Sequence, residues 1–226
     1  MSLLSCIGIA ACLTALLLLR IYFVLPAFGR DSKYASKRRK GKATVRASAD
    51  MTLCVVLGSG GHTAEMMRLL QGVEFDRYMQ RLYVVGDSDA LSLDQIGIVE
   101  RRGNTYNEEY FVERVPRSRE VGQPWLTAPL SVARCLARTA SIFLDYRPDV
   151  VLCNGPGNCV VACVVALVPR ILGLKRIPII YVESFARVRT LSLSGKILYL
   201  LADRFIVQWP GLVSTYPRAE YIPHLV

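Results

Sequence analysis

The sequence predicts an α/β protein: a Rossmann-like parallel sheet behind one N-terminal transmembrane helix. Three observations support this. Apolar runs of four to six residues alternate with helix-like patterns from Met51 onward. Most of these runs end in Gly, Pro or a polar residue, as buried strands do where they meet their loops. The first 25 residues carry a single charge, Arg20.

The N-terminal segment comes first. Residues 3–19 are uncharged and apolar, and the apolar character resumes over 21–28. A bilayer core needs about 20 apolar residues as helix. Residues 3–25 meet that length if the Arg20 side chain reaches back to the interface. A cleaved signal peptide wants positive charge ahead of its apolar run, and residues 1–19 contain no Lys or Arg. Residues 1–28 are therefore expected to be an anchor, and the polar stretch 29–50 a linker. Between Arg30 and Arg46 lie eight basic residues and one acid, Asp31. Such a cluster stays on the cytosolic side and is drawn to anionic head groups. The N-terminus is thus expected to face away from the cytosol, with the body of the chain inside it. That body, 51–226, has 19 basic and 16 acidic residues, a balance too even for a typical nucleic-acid binder. Its cysteines form no CxxC pair and read as buried, reduced thiols rather than a zinc site or disulfide framework.

The body is expected to run as follows. Residues 52–57 (TLCVVL) form a buried strand and 63–70 a short amphipathic helix. A second strand covers 81–85 (RLYVV), with helix over 91–100, and a third strand covers 110–115. A long helix spans 127–146, a fourth strand 149–152 (DVVL) and an apolar helix 159–172. The fifth strand is 177–182 (IPIIYV), followed by helix 191–202 and a sixth strand, 204–207 (RFIV). Continuous apolar strands alternating with helices imply a parallel sheet covered on both faces.

Ligands of such sheets bind beyond the carboxyl ends of the strands. There the sequence places Gly58-Ser59-Gly60-Gly61-His62, Asp87, Arg117 and Arg119, Asn154-Gly155-Pro156-Gly157, Glu183-Ser184 and Gln208-Trp209. Two of these are Gly-rich loops opening helices, where bare N–H groups and the helix dipole favour an anion such as phosphate. The first loop is not a Walker A motif. It also misses the dinucleotide fingerprint, because Thr63 stands where the third glycine belongs. His62 can hydrogen-bond an anion or accept a proton, or be a plain loop residue. Glu183 directly follows a buried strand and is a second acid/base candidate, with pairing to Arg187 or Arg189 as its structural alternative. Asp87-Ser88-Asp89 is the only Asp-x-Asp pair near a strand end, and the residues seen require no metal.

The motifs GSGGHTAEMMRLL, VPRSREV, PDVVLCNGPG, YVESFARVRTLSLSGKILY and FIVQWP run in that order between Val55 and Pro210, behind a single span. By these the chain resembles the membrane-anchoring subunits of the eukaryotic UDP-N-acetylglucosamine transferase, which makes the second sugar addition on the dolichol-linked oligosaccharide of asparagine-linked glycosylation. The resemblance implies the acceptor-side half of a two-Rossmann-domain (GT-B-type) glycosyltransferase. It further implies a soluble donor-binding partner subunit, a site on the cytosolic face of the endoplasmic reticulum, and dolichol-diphosphate-linked GlcNAc as acceptor. No cofactor and no nucleic acid are implied. On this basis His62 and Glu183 are the catalytic candidates, and Gly58, Ser59, Gly60, Gly61, Asn154, Gly155 and Gly157 are expected to cradle the acceptor diphosphate. The chain ends soon after its sixth predicted strand, so the donor half is expected on another polypeptide, and residues 216–226 are expected to touch it. The competing classes are a membrane-tethered, dinucleotide-dependent oxidoreductase and a scaffold without a site.

Overall fold

Strand β1 (Thr52–Leu57) lies at the centre of the sheet because it is apolar on both faces. The computed structural model describes residues 3–28, 51–73, 75, 78, 80–103, 109–120, 122–124, 126–223 and 225. The expected basic linker lies outside the described residues. After β1 the chain runs α2 (Gly61–Gln71), β2 (Gln80–Gly86), α3 (Ala90–Gly103) and β3 (Glu109–Val115). It continues through α4 (Ala128–Tyr146), β4 (Val150–Asn154), α5 (Asn158–Ile171) and β5 (Ile179–Val182). It closes with α6 (Leu193–Leu201), β6 (Arg204–Val207), α7 (Pro210–Thr215) and β7 (Ala219–Tyr221). Among the described residues the sheet has seven strands in the order β3-β2-β1-β4-β5-β6-β7. Every pairing is parallel.

Alternation along β1 divides the core in two. Cys54 and Val56 point to the face covered by α4, α5, α6 and α7. Leu53, Val55 and Leu57 point to the face covered by α2 and α3. The expected fold class is therefore met, and the six expected strands are present within two residues of their expected ends. The seventh strand and α7 were not expected. They use Leu212 and Ala219 to extend the first core, while Ile222 and Leu225 pack against the second. Part of the tail expected to meet a partner is thus folded onto its own sheet, although Tyr221 stays exposed. All five cysteines of the body are buried and free. Burial pushes the Cys54 thiol far above its usual range.

The first helix, α1 (Leu3–Val24), leaves Ile7, Leu13, Leu16 and Phe23 uncovered and is long and apolar enough to cross a membrane. Its far end is not free. Arg20 donates through Nε to the carbonyl of Ile171 (3.2 Å) and through a terminal nitrogen to that of Arg170 (3.4 Å), so it reaches the last carbonyls of α5.

Buried charges fix the flanks. Arg81 on β2 pairs with Glu100 on α3 at 2.6 Å, with both side chains about 95% out of solvent. Tyr83 donates to the same carboxylate (2.5 Å), and Phe75 lies 4.7 Å under the guanidinium. Burial, then the Glu100 hydrogen bond, hold the Tyr83 hydroxyl protonated. Another carboxylate, Glu183, fixes the start of α6. Its Oε2 accepts from Ser192 N and Ser192 Oγ (both 3.1 Å), and Ser192 Oγ caps the helix by accepting from Gly195 N (2.9 Å). A side chain at Gly195 would run into Glu183 Oε2 and Ser192 Oγ.

Two stability predictions follow from this packing. Glu100→Ala strands a buried guanidinium and should cost about 3–5 kcal/mol, whereas the Arg81→Met/Glu100→Leu pair should cost much less. Denaturant melts of the detergent-solubilised chain measure both, and equal losses would show that the ion pair itself sets the stability. Gly→Ala inside a helix ordinarily gains about 1 kcal/mol. Here Gly195→Ala should lose about 2–4 kcal/mol, because Glu183 must be displaced. A raised melting temperature would contradict that steric account.

Candidate functional site

The strand order reverses between β1 and β4, and the two Gly-rich loops leave the sheet side by side at this reversal. This is the position where open α/β sheets hold their ligands. The loops are in contact. A Cβ on Gly155 (φ +138°) would lie 3.1 Å from Gly58 Cα, and one on Gly58 would lie 2.7 Å from His62 Cβ. A side chain at Gly157 would collide with Ser118 Oγ. Gly58, Gly155 and Gly157 are therefore glycines because neighbours occupy the space. Gly60 and Gly61 differ: nothing lies within 4 Å of where their side chains would be, and both are exposed along with Ser59.

Helix α2 begins two residues earlier than the sequence suggested. Gly60 is its N-cap with φ +63°, a left-handed value that glycine adopts without strain. No side chain caps this end. The N–H groups of Thr63 and Ala64 turn back to the Gly60 carbonyl (3.1 and 3.3 Å), while those of Gly61 and His62 have no acceptor within the helix. The result is an exposed, uncapped N-terminus carrying the positive end of the dipole. His62 sits on its first turn, half-buried, rather than in a loop. Its Nδ1 lies 3.0 Å from Asn154 Oδ1. Nε2 has no hydrogen-bond partner among the described residues.

The second loop is closed by contrast. Asn154 is 0% exposed, and its amide bonds His62 on one side and Glu65 on the other (Nδ2 to Oε2, 2.9 Å). Asn158 Oδ1 accepts from Ser118 N (2.8 Å), which lays the loop after β3 across the start of α5. Only Pro156 of the 154–157 loop is exposed.

Glu183 is 1% exposed. Besides Ser192, it accepts from Ser184 N (3.1 Å) and Tyr181 Oη (3.4 Å). Neither Arg187 nor Arg189 pairs with it among the described residues. Its carboxylate is saturated with donors in this conformation, so it reaches no open surface. Asp89 is likewise committed: it accepts from Ser92 N (3.3 Å) and Ser92 Oγ (2.5 Å) at the start of α3. Among the described residues no group of His, Cys, Asp or Glu is arranged to hold a metal ion. Thr63, in the place of the third fingerprint glycine, donates to the Gly58 carbonyl and lies 2.7 Å from Ser92 Oγ. Arg119 folds back onto the carbonyl of Gln123 (2.9 Å). Trp209 donates to the Phe185 carbonyl (2.7 Å) and packs on that ring.

Two polar residues were missed or passed over. Glu65 joins Asn154, Ser184 and Phe185, partners 89 to 120 residues away, so no local pattern announces it. Gln208 donates to the Glu183 carbonyl (3.1 Å), and its buried Oε1 has no partner among the described residues. Its place at a strand end was the one available signal.

Comparison with known proteins shows the family and the fold. Residues 53–225 match the family described as "Oligosaccharide biosynthesis protein Alg14 like". The chain is 46% identical over 179 residues to the UDP-N-acetylglucosamine transferase subunit ALG14 of Rattus norvegicus, covering 77% of this chain and 82% of that one. It is 40% identical over 222 residues to the Homo sapiens protein of the same name, covering 96% and 95%. Among solved structures it is similar in fold to MurG of Acinetobacter baumannii, with a TM-score of 0.50 and 12% identity over 71% of this chain. The UDP-GlcNAc 2-epimerase of Neisseria meningitidis gives a TM-score of 0.50 and 14% identity over 76%. The chain spans 42% and 46% of those two proteins, so it has the fold of about half of each. The chain belongs to the Alg14-like family of oligosaccharide biosynthesis proteins.

Proposed function

We propose that this chain is the membrane-held, acceptor-side subunit of a UDP-GlcNAc transferase. It would add the second GlcNAc to GlcNAc-diphosphodolichol on the cytosolic face of the endoplasmic reticulum, with UDP-GlcNAc presented by a soluble partner. The observation that supports this most is the exposed, uncapped start of α2 at the switch point, with His62 on its first turn. An N–H-rich helix end suits a diphosphate. A basic side chain beside it suits the sugar hydroxyl attached to that diphosphate.

In this reading the backbone of Ser59, Gly60 and Gly61 holds the acceptor diphosphate. Gly58, Gly155 and Gly157 let the two loops pack closely enough to support it. Asn154 orients His62. Reaction is a direct displacement: the acceptor O4 bonds to C1 of the donor sugar as the C1–O bond to UDP breaks. UDP leaves with the electron pair, and the O4 proton passes to His62. Glu183, enclosed by its donors, acts by holding the β5 end and the start of α6 in place. The helix α1 supplies the anchor, with its N-terminus lumenal and the sheet domain cytosolic. The basic stretch 30–46 sets that orientation and adds attraction to anionic lipid. An oxidoreductase is the poorer fit, because Thr63 fills the position where a dinucleotide loop needs glycine.

The test is transfer from UDP-GlcNAc to a short-chain GlcNAc-diphosphate lipid. Purified chain is assayed alone and with a cytosolic extract that supplies soluble partners. Activity is expected only with the extract. A Cβ at Gly61 meets nothing within 4 Å, so Gly61→Val adds its side chain on the open face. It should leave the melting temperature unchanged and cut transfer by about 10²-fold, comparable to losing one well-placed backbone donor. Full activity of the chain alone would overturn the split-site proposal, and full activity of Gly61→Val would overturn the diphosphate assignment.

A further inference from the structure

Two separate parts of the site converge on Glu65, in the second turn of α2. Its Oε1 accepts from Ser184 Oγ (2.8 Å), just past β5. Its Oε2 accepts from Phe185 N (3.3 Å) and from Asn154 Nδ2 (2.9 Å), at the end of β4. Asn154 Oδ1 in turn meets His62 Nδ1 at 3.0 Å.

The polarity of this chain is fixed by which groups can only give or only take a proton. Phe185 N–H is an obligate donor, so the carboxylate oxygen it meets is an acceptor. The Asn154 edge that faces this oxygen must then be its NH₂, which turns the amide oxygen toward the histidine. An amide oxygen cannot donate, so the proton in the bond between Asn154 and His62 belongs to Nδ1. In a neutral imidazole the lone pair is then on Nε2. Nε2 is the nitrogen without a hydrogen-bond partner among the described residues.

We propose that Glu65 and Asn154 are positioning residues that lock His62 in its Nδ1–H tautomer and leave a basic Nε2 for the acceptor hydroxyl. The tautomer stands on the hydrogen bonds alone, while its use in transfer rests on the function proposed above. During displacement Nε2 takes the O4 proton as O4–C1 forms and UDP departs. The resulting imidazolium keeps its Nδ1–H on Asn154, and the Glu65 carboxylate stabilises the new charge through the polarised amide. An Asn154 whose amide were free to flip would offer NH₂ to the ring, demand a lone pair on Nδ1 and place the proton on Nε2, where it blocks proton acceptance.

The chain has only two histidines, His62 and His224. Nitrogen-15 NMR of the full-length, imidazole-labelled chain, with His224→Gln for assignment, therefore reads the tautomer directly. Neutral His62 is expected to carry its proton on Nδ1. Glu65→Met removes the acceptor that holds the Asn154 NH₂, so it should shift the population toward Nε2–H and lower kcat by about 10²-fold, since a base in the wrong tautomer can lose up to ~10⁴. KM for UDP-GlcNAc should stay within about 2-fold, because uniform binding is untouched. The pair Glu65→Met/Asn154→Asp gives the ring a carboxylate oxygen that can only accept, so it should return the Nδ1–H tautomer and part of kcat. A merely structural Glu65 would show no such rescue. A wild-type proton on Nε2, or a Glu65→Met tautomer unchanged from wild type, would overturn the relay. An Nδ1–H tautomer together with a His62→Gln chain that still transfers at full rate would leave the hydrogen-bond polarity standing and overturn the base role.

Discussion

The closeness of the β1 and β4 loops governs the rest of the carboxyl edge. The two strands are neighbours at the reversal of strand order, and their following loops touch through Gly58 and Gly155. A Cβ on Gly58 would lie 2.7 Å from His62 Cβ, and one on Gly155 3.1 Å from Gly58 Cα, so His62 and the loops would have to shift. His62 would then leave Asn154, and Asn154 would leave Glu65. In this way one steric constraint, absence of Cβ at two positions, supports a polar chain that runs from α2 across β4 to the end of β5.

Two carboxylates at this edge show how surroundings decide what a residue can do. Glu183 is enclosed, and each of its oxygens accepts from a backbone N–H and a hydroxyl. The tight fit against Gly195 keeps it in place. Glu65 is only half-buried and bonds side chains that belong to other elements. Its geometry is transmitted rather than contained. Buried carboxylates are costly unless fully paired, and both are paired, but only Glu65 is connected to a group at the open surface.

Much of this architecture was legible in the sequence. Apolar runs such as TLCVVL and IPIIYV gave the parallel strands, because strands covered on both faces cannot afford polar alternation. The Gly-Ser-Gly-Gly-His stretch marked the site, since few arrangements other than a tight strand-to-helix turn call for three glycines there. Strand β7 and helix α7 were missed because three and six residues are too short to show a period. The two glycine loops looked alike in sequence and differ in space: Ser118, 39 residues upstream of Gly157, closes one of them, and no residue closes the other at Gly60 and Gly61. Glu65 read as an ordinary helix acid for the same reason, as its partners come from distant strands. Glu183 was placed correctly at a strand end, but its environment depends on Ser192 and Gly195, which only the fold brings back to it.

The strand order also sets a schedule. The central pairing of β1 is with β4, and Thr52 waits for Asp149, 97 residues further along, to accept its N–H. At ordinary ribosome speeds that separation is roughly 5–20 s of synthesis. Throughout that interval the apolar β1 has one long edge without its neighbour, while the hydrophobic α1 has already emerged. Parallel pairings of this range are slow to form and exposed while they wait. A nascent chain of this design is therefore most vulnerable to sticking and to proteases in the middle of its translation, before the second half of its sheet exists.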